Sequence, residues 1–222
     1  MKKPFIQRVI PFLRARFAPR GARVSFSQYG EDLIVKDILT KIGVKNASYI
    51  DIGAHNPIFG NNTYLLYKNG GSGVLVEPNS ELCKLIKNKR PRDICLNAGA
   101  GKDDGEANFY AFPQSTRSTF SKEQADEHQK NTGQNPKVEK QKILSLDSII
   151  NNHFKNEAVS FVSIDAEGLD EEILSGFSFG KRPKVFCIEA PTDNSRVDDL
   201  MKNHGYEKVA QIFQNAIFVG KK

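Results

Sequence analysis

The sequence predicts an α/β protein built on an open, mostly parallel β-sheet. Residues 48–78 have the pattern of a buried strand, a glycine-bearing turn, a short helix and a second buried strand, which is the unit from which parallel sheets are built. Residues 159–176 repeat the strand, turn and helix of that pattern. Four predicted strands end in an acidic residue: Asp51, Glu77, Asp165 and Glu189. Because parallel strands bring their carboxyl ends to one edge of the sheet, we expect a ligand site there.

The length and the cysteines limit the class of protein. A chain of 222 residues is long enough for one α/β domain with its own core and short for two. Its three cysteines are scattered and form no C-x-x-C pair, which is typical of reduced thiols in a cytoplasmic protein and does not indicate a zinc site. No apolar run reaches 18 residues, so we expect no membrane-spanning helix.

Positive charge is concentrated at the N-terminus. Residues 1–23 carry seven cations and no acid, while the whole chain has a net charge of +6, so the remainder is close to neutral. A near-neutral body does not favour nucleic-acid binding. Apolar residues recur among these cations near helical spacing, interrupted by Pro11. Two interpretations stay open: peripheral contact with the anionic inner face of a membrane, or an extension that contacts no lipid.

The first predicted element is a helix that starts after Ser27, its expected cap, and ends at Gly43. Its apolar face predicts packing against the sheet. A polar cluster of Gln28, Glu31 and Asp32 comes ahead of that face, and these side chains are candidates to line the entrance of a cofactor site.

The rest of the first half is expected to alternate between strands and helices. Gly53 follows the first strand and lets its turn approach a ligand closely. The later elements are a helix from Asn61 or Asn62 to Lys68, a strand at 74–77, a helix capped by Asn79, a strand at 93–96 and a small-residue turn at 97–101.

The second half contains a long polar stretch. Strands are expected at 107–112 and 138–144, and residues 113–137 between them are predicted to form a structureless loop. That loop is interpreted either as a lid whose residues 115–119 contact substrate or as a mobile surface loop. The remaining elements are a helix capped by Ser145, strands ending at Asp165 and near Ile188, a helix around 197–203 and a closing hairpin that turns at Gln214-Asn215.

The first turn favours S-adenosylmethionine over a dinucleotide. A nicotinamide enzyme needs G-x-G-x-x-G after its first strand, but the sequence here is D-I-G-A-H-N-P, with Gly53 and Gly60 as the available glycines. Asp51 would repel a pyrophosphate, whereas a cofactor with an ammonium and a sulfonium group would not be repelled. Glu77 stands where an acidic side chain accepts hydrogen bonds from ribose hydroxyls.

Several ordered motifs resemble the FkbM-type methyltransferases. They are F-S-Q-Y-G-E-D (26–32), Y-I-D-I-G-A-H-N-P (49–57), N-T-Y (62–64), V-E-P-N (76–79), I-D-A-E-G (164–168) with the E-I-L-S-G end of the next helix (172–176), and I-E (188–189). The resemblance covers residues 26–222 as one domain and leaves 1–25 as a basic amphipathic extension. Ala166 stands where valine is expected, which is a conservative difference.

The resemblance implies a class I methyltransferase fold, Rossmann-like, with a mostly parallel seven-stranded sheet and a C-terminal antiparallel hairpin. It also implies S-adenosylmethionine as cofactor and, most often, O-methylation of a hydroxyl on a sugar of a surface or secreted glycan or on a related natural product.

The resemblance also assigns roles to individual residues. Asp51, Gly53 and Ala54 would form the loop under the methionine part of the cofactor, and Glu77 would hold the ribose. Asn97 and Ala98 would border the adenine, and Gln28 and Glu31 would close the site from the N-terminal side. Asp165 would lie between cofactor and acceptor.

Three residues are candidates for the general base that removes the acceptor proton: His55, Asp165 and Glu167. Glu167 has an alternative role as a cap of the following helix. A shared Mg²⁺ at Asp165 and Glu189 is a further hypothesis, because carboxylates on neighbouring strands suit a hard cation.

Two other functions stay open on the sequence. One is a nicotinamide-dependent sugar oxidoreductase or epimerase, which lacks the glycine spacing it would need. The other is a non-catalytic binding module with a methyltransferase-like fold. The sequence does not identify the acceptor or the oligomeric state.

Overall fold

The computed structural model describes residues 21–114, 117–155, 157–166, 168–190 and 195–221. These residues form ten strands: β1 (Ser48–Ile52), β2 (Ser72–Val76), β3 (Ile94–Leu96), β4 (Gly99–Ala100), β5 (Gly105–Ala111), β6 (Lys137–Leu144), β7 (Phe161–Ile164), β8 (Val185–Glu189), β9 (Tyr206–Ile212) and β10 (Asn215–Gly220).

The described residues also form seven helices. They are α1 (Glu31–Lys41), α2 (Tyr64–Lys68), α3 (Ser80–Lys89), α4 (Lys122–Thr132), α5 (Leu146–His153), α6 (Asp170–Ser175) and α7 (Ser195–Asn203). No helix among these residues is long and apolar enough to cross a membrane.

Seven strands form the central sheet in the order β3-β2-β1-β7-β8-β10-β9. Five of these strands, β3, β2, β1, β7 and β8, run parallel to one another. β10 is antiparallel to both β8 and β9. The strand order reverses between β1 and β7: β2 and β3 follow β1 on one side, and β8 follows β7 on the other. Ligands bind at such a reversal, outside the carboxyl ends of the strands. The predicted fold, a mostly parallel seven-stranded sheet with an antiparallel C-terminal hairpin, is confirmed.

The central strands are buried on both faces, as parallel strands between layers of helices are. All four residues of β7 are buried, and in β1 only Ser48 is partly exposed. Two hydrophobic clusters cover the two faces: one contains Ile50 and Val162, and the other contains Tyr49 and Phe161. Their alternation follows from the two-residue period of a strand.

A second sheet of three strands, in the order β4-β6-β5, follows β3. β5 and β6 pair antiparallel along their lengths, and β4 runs parallel to β6. The sequence predicts β5 and β6 as strands but assigns no second sheet. Gly99 and Ala100 belong to strand β4 rather than to the expected turn.

The prediction of a structureless loop over residues 113–137 is wrong. Helix α4 occupies Lys122–Thr132 within it, and Ser121 caps that helix by accepting a hydrogen bond from the backbone N–H of Gln124. Gly133, with φ 70, ends it in the left-handed conformation. Only Ala125 of this helix is buried, so the apolar periodicity that identifies most helices is missing from its sequence.

Two further boundaries differ from prediction. Gly30, not Ser27, is the N-cap residue of α1, although the Ser27 hydroxyl accepts hydrogen bonds from the N–H groups of Gly30 and Asp32. The C-terminal hairpin turns at Phe213-Gln214, because Ile212 and Asn215 are the last paired residues. Asn215 is therefore the first residue of β10 and not part of the turn.

Candidate active site

A cavity of about 300 Å³ opens at the carboxyl edge of the parallel strands, at the point where the strand order reverses. Its size lies at the lower end of the range for small-molecule sites. Six residues predicted for the site line this cavity: Gln28, Gly53, His55, Glu77, Ala98 and Asp165. The structure therefore brings these six residues together at one cavity, and the cofactor role of each residue stays a prediction.

Gly53 allows two loops to meet at the floor of the cavity. Its φ is 75, and a β-carbon at this position would overlap the carbonyl oxygen of Asp165. The backbone N–H groups of Gly53 and Ala54 donate to the carbonyl oxygen of Val76, at distances of 3.1 and 3.3 Å. Glycine is thus required here for contact between protein segments, in addition to the predicted approach of a ligand.

Glu77 is 5% exposed and comes directly after β2, with its carboxylate beside the cavity. Its Oε2 accepts a hydrogen bond from the backbone N–H of His55 at 2.9 Å, and its Oε1 accepts one from the N–H of Asn79 at 2.8 Å. Burial raises the pKa of Glu77 to about 7, although these two hydrogen bonds oppose the shift.

His55 belongs to the same turn and lines the cavity with a half-buried side chain. Its φ of 43 is in the left-handed region, which is uncommon for a residue with a side chain. Burial lowers the pKa of the imidazole below its usual 6.5, so the ring is neutral at pH 7. A neutral imidazole has a nitrogen lone pair that can accept a proton.

Asp51 and Ala54 are buried behind this turn and do not belong to the cavity lining. Asp51 lies within β1 rather than at its end. Its Oδ2 accepts hydrogen bonds from the side chains of Asn61 at 3.0 Å and Thr63 at 2.7 Å, and burial raises its pKa. Asp51 thus supports the turn through Asn61, whose side chain also donates to the carbonyl oxygen of Ala54.

The sequence model described as "Methyltransferase FkbM domain" matches residues 51–208, which is most of the chain. The chain belongs to the FkbM methyltransferase family. The resemblance found in its motifs is thereby confirmed. No curated protein matches the chain.

Solved structures with a similar arrangement include several methyltransferases at low identity. An O-methyltransferase from Bacillus cereus in complex with S-adenosylhomocysteine is 14% identical, with 100% of this chain and 92% of that chain covered and a TM-score of 0.44. A TehB-like S-adenosylmethionine-dependent methyltransferase from Corynebacterium glutamicum is 13% identical, with 98% and 96% covered and a TM-score of 0.44. Magnesium protoporphyrin IX methyltransferase from Synechocystis, with bound S-adenosylmethionine, is 8% identical, with 100% and 86% covered and a TM-score of 0.44.

In this FkbM domain, a buried arginine that sequence reasoning missed stabilises the first turn. Arg90 is fully buried at the end of α3, and its Nε donates to the Asp93 carboxylate at 2.7 Å. Its guanidinium also donates to the side chains of Asn61 and Thr63, at 3.0 and 2.9 Å. Both of these side chains bind Asp51, so one polar network connects α3 with β1. The sequence carries no signal for it, because an arginine before Pro91 is typical of a solvated helix end.

Asn97 and Glu31, both predicted to contact cofactor, are not in the cavity lining. The amide of Asn97 donates to the carbonyl oxygens of Glu77 and Pro78 at 3.0 and 2.8 Å, and so connects two loops at the edge of the cavity. Glu31 is fully buried and accepts hydrogen bonds from the side chain of Asn215 at 2.7 Å and from the N–H of Tyr29 at 2.9 Å. Both residues thus connect protein segments in this structure, and their contact with a cofactor stays a prediction.

The second sheet and the segment after β5 supply further cavity residues. Phe109 of β5 and Phe120, which the sequence analysis did not identify, line the cavity with their ring centroids 4.9 Å apart. Ser118 and Thr119 also line it, and both belong to the stretch 115–119 that the lid interpretation named. A β-carbon on Gly99 would meet the Phe120 ring, so this wall packs closely against β4. The sequence did contain one signal for Phe120, which is the only large apolar residue in the polar stretch 113–137.

The hypothesis of a shared cation at Asp165 and Glu189 stays a prediction. β7 and β8 are neighbours, as the hypothesis of a shared cation at Asp165 and Glu189 requires. Within the ranges that the structure describes, however, no group of three or more His, Cys, Asp and Glu side chains gathers as a metal site would need. Glu167, the third candidate base, lies outside the described residues.

Proposed function

We propose that this FkbM-family protein is an S-adenosylmethionine-dependent O-methyltransferase that methylates a hydroxyl on a sugar of a surface or secreted glycan, or on a related natural product. The observation that carries the proposal is Glu77, a buried carboxylate that follows β2 and lines the cavity beside the turn at Gly53. An acid in this position is suited to accept hydrogen bonds from the two hydroxyls of a ribose.

The cavity has the chemistry that S-adenosylmethionine needs. Ala98, Gly99 and the Phe120 ring offer a small-residue and aromatic surface for a flat base. The turn at Gly53 and His55 and the side chain of Gln28 also line the cavity, with polar groups suited to an amino acid end. When bound, the cofactor supplies a methyl group on a positively charged sulfur. Asp165, next to this turn, would favour that positive charge.

The protein's contribution to the reaction is positioning and proton removal. Holding an acceptor oxygen in line with the methyl group supplies several kcal/mol of the barrier. The hydroxyl loses its proton as the new O–C bond forms, and we assign that proton to the imidazole of His55, which lines the cavity and is neutral at pH 7. Asp165 lines the same cavity and is the alternative base.

The basic segment 1–23 is proposed to bring the enzyme to the anionic inner face of a membrane in the cytoplasm. Its seven cations and interleaved apolar residues support this contact. Residues 1–20 lie outside the described residues. Co-sedimentation of the full chain with phosphatidylglycerol vesicles, compared with a chain that starts at Val24, tests the contact.

Calorimetric titration with S-adenosylhomocysteine tests the cofactor directly. We expect micromolar binding by the wild-type protein and a loss of about tenfold or more in Glu77→Gln, because a neutral amide is a weaker acceptor for two hydroxyls. Glu81→Gln is the matched control, since Glu81 is an exposed glutamate in the next helix that pairs only with Lys84 among the contacts described. Absence of heat from folded wild-type protein would overturn the proposal, and binding of NADH instead would favour an oxidoreductase.

A further inference from the structure

Three aromatic side chains are strongly exposed in the described part of the chain: Tyr29, Phe59 and Phe213. Phe59 is 70% exposed and lines the cavity itself. Tyr29 is 48% exposed and directly follows Gln28, which lines the cavity. Phe213 is 70% exposed, and its ring centroid is 4.2 Å from that of Tyr29. Exposed aromatic groups that cluster at one place are typical of binding surfaces.

Phe213 adopts a backbone conformation that disfavours its own side chain. It is the first of the two residues in the β9–β10 turn and has φ 50. Two-residue hairpins with positive φ at this position normally use glycine, because a bulky side chain there is strained. A strained residue suggests that its side chain, rather than the turn, is what the position needs.

A buried carboxylate holds the two rings together. Glu31 is fully buried, and it accepts one hydrogen bond from the N–H of Tyr29 at 2.9 Å and another from the side chain of Asn215 at 2.7 Å. Asn215 follows the turn that carries Phe213 and pairs with Glu189 of β8. The segment before α1 and the C-terminal hairpin are thus fixed to each other next to the strands whose carboxyl ends form the site.

Resting on the methyltransferase function proposed above, we propose that Tyr29 and Phe213 form an aromatic platform that binds a ring of the methyl acceptor. The acceptor must reach the cavity from outside, and Tyr29 of the platform directly follows Gln28, which lines the cavity. Aromatic rings of this kind bind the C–H face of a sugar ring or the face of a planar ring, while the hydroxyls of the acceptor remain available to the cavity. The platform selects a ring-shaped acceptor over a flexible polyol.

Saturation-transfer NMR on the full chain loaded with S-adenosylhomocysteine tests the platform. The probes are methyl α-D-glucopyranoside, methyl α-L-rhamnopyranoside and 4-nitrophenyl β-D-glucopyranoside, with sorbitol as an acyclic polyol of similar hydroxyl content. We expect at least one ring probe to bind in preference to sorbitol. We expect Phe213→Gly and Tyr29→Ala to weaken that binding about fivefold or more, as loss of a ring contact should.

Phe213→Gly separates binding from folding, because glycine relieves the positive φ and should leave the unfolding temperature unchanged or raise it. Val209→Ala, an exposed change on the same hairpin, is the matched control and should have no effect on probe binding. Unchanged probe binding in both platform variants, or no preference for any ring probe over sorbitol, overturns the platform. Loss of phosphatidylglycerol vesicle binding in Phe213→Gly, with probe binding unchanged, also overturns it and identifies a membrane contact.

The calorimetric titration with S-adenosylhomocysteine distinguishes this proposal from the function on which it rests. Absence of cofactor-product binding would overturn the proposed function itself. If S-adenosylhomocysteine binds normally but the ring probes bind Phe213→Gly as well as they bind the wild type, the platform alone is overturned.

Discussion

Gly53 and Asp165 approach each other so closely that a β-carbon on Gly53 would overlap the carbonyl oxygen of Asp165. The two residues follow the paired strands β1 and β7, and the N–H of Asp165 donates to the carbonyl oxygen of Ile52 at 3.1 Å. The floor of the cavity is therefore formed by two backbone segments in direct contact. Any side chain at position 53 would separate them.

Gly53→Ala is expected to destabilise the fold and to abolish binding of S-adenosylhomocysteine. The φ of 75 alone costs roughly 1–3 kcal/mol for a residue with a β-carbon, and the overlap with Asp165 adds to it. Urea unfolding and calorimetry measure the two effects. Gly105→Ala is the control, because nothing lies within 4 Å of a β-carbon there, and it should leave both quantities nearly unchanged. Wild-type stability in Gly53→Ala would contradict the described contact.

Glu77 makes both folding and cofactor binding depend on pH, in opposite directions. Its pKa rises from its ordinary value near 4.5 to about 7 on folding, so the folded state favours the protonated form. The protonated group therefore contributes to the free energy of unfolding below pH 4.5, and this contribution is lost as the pH rises to 7. The loss is on the order of 1–3 kcal/mol. The difference between the unfolding curves of the wild type and Glu77→Gln isolates that loss, since glutamine does not titrate.

Binding of S-adenosylhomocysteine should instead become stronger with rising pH. The ionised carboxylate is the better acceptor for ribose hydroxyls, and with a pKa of about 7 its fraction rises about tenfold between pH 6 and pH 8. We expect the dissociation constant to fall by about that factor. A dissociation constant that does not change with pH would show that Glu77 does not hold the ribose.

The Arg90–Asp93 pair is expected to dominate the local stability of the first half of the sheet. Asp93→Ala leaves the guanidinium of Arg90 without its carboxylate in a fully buried position, which typically costs about 3–5 kcal/mol. Glu81→Ala breaks an exposed pair with Lys84 and should cost far less stability, because water and salt screen that pair. Chemical denaturation of the two variants gives the comparison. Equal losses of stability would contradict the buried network.

His55→Asn is expected to separate catalysis from binding. Asparagine tolerates the positive φ at this position and keeps the backbone N–H that donates to Glu77. Binding of S-adenosylhomocysteine should stay within about threefold of the wild type, while turnover with an identified acceptor should fall about 10²–10⁴-fold. On the acidic side of the pH profile, the wild-type rate should rise as the imidazole of His55 loses its proton. This rise should be absent in His55→Asn. Full activity in His55→Asn and loss of activity in Asp165→Asn would assign the base to Asp165.

Local pattern was sufficient for the elements of the central sheet. The strands β1, β2, β7 and β8 are short apolar runs bounded by glycine or polar residues. Consecutive residues in these strands are buried, so both faces of each strand are covered. The acids and glycines at their ends are adjacent in sequence to those runs. Hence the edge of the sheet, the turn at Gly53 and the placement of Glu77 beside the site could all be predicted.

Features that depend on distant segments could not be predicted in this way. Helix α4 shows almost no apolar periodicity, because it contributes a single buried side chain, Ala125. Arg90 and Glu31 are charged residues whose burial depends in part on partners far along the chain, Asn61 in one case and Asn215 in the other.

The sequence alone thus determined the order of the elements, the parallel sheet and the edge at which the site lies, because these follow from hydrophobic periodicity and from residues next to the strand ends. The division between residues that line the cavity and residues that support it came from the folded chain. Asp51 and Glu77 are both acids of the same edge, yet one binds Asn61 and Thr63 behind the turn and the other lies beside the cavity. That distinction depends on three-dimensional packing, which brings together side chains that are far apart along the chain.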